Sequence, residues 1–76
     1  MKEMLELIIT NLVADKSQVS IEEIIEDKVI TYKVKTSKED MGRVIGKQGR
    51  VAKSIRIVMK SISAKEGKKV NIDFVD

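Results

Sequence analysis

The chain has 76 residues and a formal charge of +3, from 15 Lys and Arg against 12 Asp and Glu. It contains no Cys, His, Pro or Trp, which excludes a disulfide framework, thiolate and imidazole metal sites, and the commonest nucleophile and general base. A chain this short buries about 60% of its unfolded surface, enough for one two-layer core, so residues 1–76 read as a single domain.

The first helix is predicted over residues 2–14. Met1, Met4, Leu5, Ile8, Leu12 and Val13 fall on one side of it, with Ile9 at the edge of the stripe and Leu7 outside it. A polar break at Asp15-Lys16-Ser17 follows. Gln18–Glu26 reads as a strand in which Val19 and Ile21 alternate with Ser20 and Glu22. Ile24-Ile25 interrupts that alternation and predicts a bulge or burial on both sides. Glu26-Asp27-Lys28 is the turn of a hairpin. Val29–Thr36 is the clearest strand: Ile30, Tyr32 and Val34 face one way, and Thr31, Lys33 and Lys35 the other.

Ser37 is a good N-cap, and Asp40 three residues later completes the pattern of a capping box. The short second helix contains Gly42, unfavourable there by about 1 kcal/mol, which predicts close packing or a weak helix. It ends at Gly46-Lys47-Gln48-Gly49. A third helix runs from Arg50 to Lys65, with Val51, Ala52, Ile55, Val58, Met59 and Ile62 as its apolar stripe. Lys53, Arg56 and Lys60 lie opposite, and Ile57 projects from that basic side. Gly67 stops the helix, and Val70, Ile72 and Phe74 alternate with Asn71 and Asp73 in a last strand.

The predicted order is α-β-β-α-α-β. The first two strands form a hairpin, and two helices make a crossover long enough to return the third strand parallel to the second. The fold class is α+β, a three-stranded mixed sheet with three helices packed on one face.

Charge is distributed unevenly along this order. Residues 1–40 hold six Lys and nine Asp or Glu, whereas residues 41–76 hold nine basic residues and three acidic ones. From Met41 to Lys60 there are six cations and no acid. Such polarity predicts a polyanionic partner for the C-terminal half. The glycine loop sits at its centre. Glycine lets another backbone approach closely, and a helix N-terminus behind it favours anions. Lys47 and Arg50 add full charges at the same place. The spacing is not that of a nucleotide-binding P-loop. Glu22, Glu23, Glu26 and Asp27 read as a solvated hairpin rather than a metal site, so neither catalysis, metal nor cofactor is expected. No apolar run approaches the length of a membrane span, and no signal-peptide pattern opens the chain; a cytoplasmic protein is expected.

The run Asp40-Met41-Gly42-Arg43-Val44-Ile45-Gly46-Lys47-Gln48-Gly49-Arg50, with Ile55 beyond it, resembles the signature of a KH domain. The α-β-β-α-α-β order resembles the type II arrangement found in bacteria, and the likeness covers the whole chain, as in small stand-alone KH proteins. It implies single-stranded RNA binding, about four nucleotides lying across a groove with the G-x-x-G loop as clamp. Carried over by position, Gly46, Lys47, Gln48 and Gly49 hold the sugar-phosphate backbone. Arg43, Arg50 and Lys53 extend the positive rim. Val44, Ile45 and Ile55, with Val34 opposite, form the apolar floor or its support. The resemblance also implies an RNA chaperone or post-transcriptional regulator, homodimers, and heterodimers with a larger KH-containing protein. The competing expectation is a KH fold used mainly to recruit a protein partner, with Ile57 on its surface.

Overall fold

The computed structural model describes residues 1–75. Its elements are α1 (Lys2–Leu12), a 3-10 turn (Lys16–Gln18), β1 (Ser20–Glu26), β2 (Val29–Lys35), α2 (Lys38–Ile45), a second 3-10 turn (Lys47–Gly49), α3 (Arg50–Lys65) and β3 (Lys69–Val75). The sheet order is β1-β2-β3. β1 and β2 are antiparallel from Ser20 opposite Lys35 to Glu26 opposite Val29. β3 runs parallel to β2, with Ile30 beside Val70 and Val34 beside Phe74. This is the α+β architecture expected, with the order α-β-β-α-α-β.

The core lies between the helices and one face of the sheet. Leu5 and Ile9 of α1, Met41 and Val44 of α2, and Ile55 and Met59 of α3 pack with Ile30, Tyr32 and Val34 of β2 and Val70 and Ile72 of β3. The strand alternation determines this: the intervening Lys33, Lys35, Asn71 and Asp73 are all exposed. Tyr32 is wholly buried, and its hydroxyl donates to Glu23 Oε2 across the hairpin at 2.7 Å.

Several local expectations are corrected. α1 stops at Leu12, and Val13 is already extended, because the next two amides are drawn to Asp40. Ile9 is at the centre of the buried stripe, not its edge, whereas Met4 and Val58 are exposed. β1 starts at Ser20 rather than Gln18, since Asp15 accepts the Ser17 amide and winds Lys16–Gln18 into a turn. Ile24-Ile25 makes no bulge: the register is continuous along the edge strand β1, and Ile25 is 61% exposed. The hairpin turn is Asp27-Lys28, with Asp27 at φ 56°. Beyond α3, Gly67 and Lys68 donate to the carbonyls of Ala64 and Ser63, which closes the helix.

Candidate nucleic-acid interface

α2 and α3 meet at the glycine loop, and backbone conformation sets its shape. Ser37 caps α2 by accepting the Asp40 amide at 3.2 Å. The reciprocal half of the capping box is not made; the Asp40 carboxylate turns instead to Ala14 N–H and Asp15 N–H, each at 3.0 Å. This ties the start of α2 to the end of α1. α2 then delivers Gly46, whose φ of 75° and ψ of 177° bend the chain out of the helix. Gln48 (φ 56°) and Gly49 (φ 72°) are left-handed as well, and α3 begins at Arg50.

This succession leaves two backbone donors without a backbone acceptor. Gly46 N–H donates to Gly42 O and Gly49 N–H to Gly46 O. Among the described residues, Lys47 N–H and Gln48 N–H have no backbone acceptor. A helical residue followed by a left-handed one brings consecutive N–H groups into a concave nest that favours an anion. Lys47 and Gln48 are exposed. Arg50 reaches back to Gln48 Oε1 at 3.4 Å, which leaves the Gln48 amide N–H groups to solvent. The loop therefore offers main-chain donors, an amide and two cations on one exposed turn.

The remaining predicted residues divide by burial. Arg43, Arg50 and Lys53 are exposed. Ile45 is 37% exposed. Val34, Val44 and Ile55 are buried in the core. Val34 in particular sits on the helix-covered face of β2.

One side chain of the basic window lies outside the expected site. Arg56 projects from α3 toward β3, where its Nε donates to the Ile72 carbonyl at 3.1 Å and its guanidinium lies 5.3 Å from the Phe74 ring centroid. With Lys60 and Lys69 it walls a cavity of about 290 Å³ along the free edge of β3 from Val70 to Asp73. The signal was present in the spacing: Lys53, Arg56 and Lys60 share one helix face. What only the tertiary structure reveals is that β3 returns beside it. Among the described residues, no group of three or more His, Cys, Asp or Glu is placed to hold a metal, and no helix is long and apolar enough to cross a membrane.

A three-stranded mixed sheet covered by three helices, with an exposed G-x-x-G turn between the second and third, defines a KH domain of type II. The chain belongs to the KhpA/KhpB KH-domain family, whose model matches residues 2–74. It is 45% identical over 75 residues to the RNA-binding protein KhpA of Clostridium perfringens, covering 99% of this chain and 100% of that one. The RNA-binding protein KhpA of Clostridium acetobutylicum is 43% identical over 75 residues, with 99% and 100% covered. That of Listeria monocytogenes is 42% identical over 76 residues, with both chains covered completely.

Proposed function

We propose that this chain binds single-stranded RNA, with the sugar-phosphate backbone of about four nucleotides crossing the Gly46–Gly49 loop. The observation that carries the reading is the pair of open amides at Lys47 and Gln48, set in a window of chain without a single acid. The name of the relatives, RNA-binding protein KhpA, supports it. In this reading the nest and Lys47 receive phosphate, and the Gln48 amide donates to it. Arg43, Arg50 and Lys53 add long-range attraction, and Ile45 supplies apolar contact with Val44, Ile55 and Val34 beneath. Arg56, Lys60 and Lys69 form the opposite wall along β3.

With Tyr32 buried and Phe74 the only other aromatic, no base-stacking platform exists, so affinity rests on the backbone and depends on salt. A chain with one modest groove gains avidity by pairing, either with a second copy or with a larger KH protein of the KhpB kind. Ile57, 60% exposed on α3, is the residue such a contact would cover. The role is that of an RNA chaperone or post-transcriptional regulator in the cytoplasm.

The test is fluorescence anisotropy of a short single-stranded RNA with wild type and with Lys47→Asp/Gln48→Asp, at low and physiological salt. Binding is expected to be salt-sensitive and lost in the double variant while its circular dichroism stays native. Equal binding by both proteins would refute the clamp and move attention to the α3 surface as a protein contact.

A further inference from the structure

We propose that Asp40 is a positioning residue for RNA binding: it holds the Arg43 guanidinium toward the start of α2, so that its free donors meet the RNA backbone one turn before the Gly46–Gly49 loop. The proposal rests on the RNA-binding reading above.

Asp40 is 2% exposed, and each carboxylate oxygen has two partners. Oδ1 accepts from Ala14 N–H at 3.0 Å and Arg43 Nη1 at 3.2 Å. Oδ2 accepts from Asp15 N–H and from Ser37 Oγ, each at 3.0 Å. Two of these donors are main-chain amides and the third is the helix cap, so the carboxylate is fixed without Arg43. Arg43 is the partner with freedom to move, and it is held to a stationary acceptor. Its side chain remains 61% exposed.

The pair is exceptional in this chain. Among the described residues it is the only direct ion pair, although the sequence has 15 cations and 12 carboxylates. Among the described residues, the only other cations with a side-chain hydrogen bond are Arg50, to Gln48, and Arg56, to the Ile72 carbonyl, and neither acceptor is charged. A guanidinium has five N–H donors, and Arg43 spends one on Asp40. The rest stay available three residues before Gly46, on the helix that carries the loop. A planar fork already held in place loses less rotamer freedom when it takes a phosphate. The burial of Asp40 keeps its own charge off the contact surface.

The experiment measures RNA affinity at two salt concentrations, and urea stability separately, for Asp40→Asn, Arg43→Ala, the two combined, and Arg43→Lys. Asparagine keeps the shape of the side chain but has no charge to hold the guanidinium. Both single variants should weaken binding by about three- to tenfold, the scale of one hydrogen bond, and the double variant by no more than either. Arg43→Lys keeps the charge without the fork and should bind closer to Arg43→Ala than to wild type. Loss of stability in Asp40→Asn with wild-type affinity would overturn the proposal. So would wild-type affinity in Arg43→Lys, a readout that survives if Asp40→Asn does not fold. Lys47→Asp/Gln48→Asp is the control. If it loses binding while Arg43→Ala does not, this proposal alone falls; if it binds as wild type, the clamp falls and this proposal, which sets Arg43 beside it, falls too; if wild type itself binds no RNA, the RNA-binding reading falls.

Discussion

The side chain of Val51 stands where a Cβ of residue 46 would be. A methyl built on Gly46 would lie 2.9 Å from Val51 Cβ and closer still to its Cγ2, and the backbone there has φ 75°. Gly49 is also left-handed, but nothing lies within 4 Å of the corresponding point. The two loop glycines therefore have different duties. The first lets α3 dock against the end of α2, and the second bears only the turn.

Gly46→Ala should accordingly cost about 2–4 kcal/mol, from strain plus overpacking against Val51. Gly49→Ala should cost about 1 kcal/mol, from the left-handed backbone alone. Urea unfolding of the two variants under one set of conditions checks the order; equal losses would contradict it.

Gly42 is exposed in the middle of α2, and no atom lies within 4 Å of where its Cβ would be. Close packing, one of the two explanations its presence suggested, is therefore overturned. Gly42→Ala should stabilise the protein by about 0.5–1 kcal/mol, seen as a higher urea midpoint with unchanged slope.

Burial, and after it the hydrogen bond to Glu23, raises the pKa of the Tyr32 hydroxyl above its ordinary value. The folded state keeps this proton where the unfolded chain loses it. The contribution is thus fully present below the ordinary tyrosine pKa of about 10 and declines as pH rises beyond it. Tyr32→Phe should lose about 1 kcal/mol at neutral pH and show a shallower decline above pH 10, read from unfolding midpoints across that range.

Asp40 shifts the other way. The Ala14 amide, then the Asp15 amide, and further the Ser37 hydroxyl and Arg43, hold its carboxyl below the usual carboxylate range, against the opposing effect of burial. Folding favours the charged form, so its stabilisation is present above the ordinary value of about 4 and lost as pH falls through the depressed one. Asp40→Asn should be less stable than wild type at pH 7, and the gap should narrow on acidification. A constant gap from pH 7 to the acid limb would contradict this.

If Lys47 neutralises a phosphate, Lys47→Ala should lower the slope of log affinity against log salt by about 0.7, the share of one contact with a single strand. Titrations at four or five salt concentrations measure that slope. A weaker but parallel line would mean that Lys47 acts without displacing a counterion.

How far the sequence carries depends on the range of the interaction behind each feature. β2 was legible to within a residue at its C-terminal end because period-two alternation over Ile30, Tyr32 and Val34 records one buried face directly. α3 was legible for the same reason at helical period. The glycine loop was legible because few residues other than glycine adopt its backbone angles. The end of α1 was not: residues 13 and 14 continue a helical pattern, and they leave the helix because Asp40, 25 or 26 residues further on, takes the amides that follow. Nothing local to Ala14 encodes that competition.

The sequence by itself determined the element order, the polarity of charge between the two halves and the position of the loop, since each follows from neighbouring residues and their periodicity. Only the tertiary structure decided which members of the expected site meet solvent. Val34, Val44 and Ile55 are as apolar as Ile45, but the sheet and α1 close over them and leave Ile45 partly open. It likewise decided that Arg56 belongs beside β3 and that Asp40 ties the end of α1 to the start of α2 rather than serving as a helix cap alone. Both are contacts between residues distant in sequence, made only once the core has brought the helices and the sheet together.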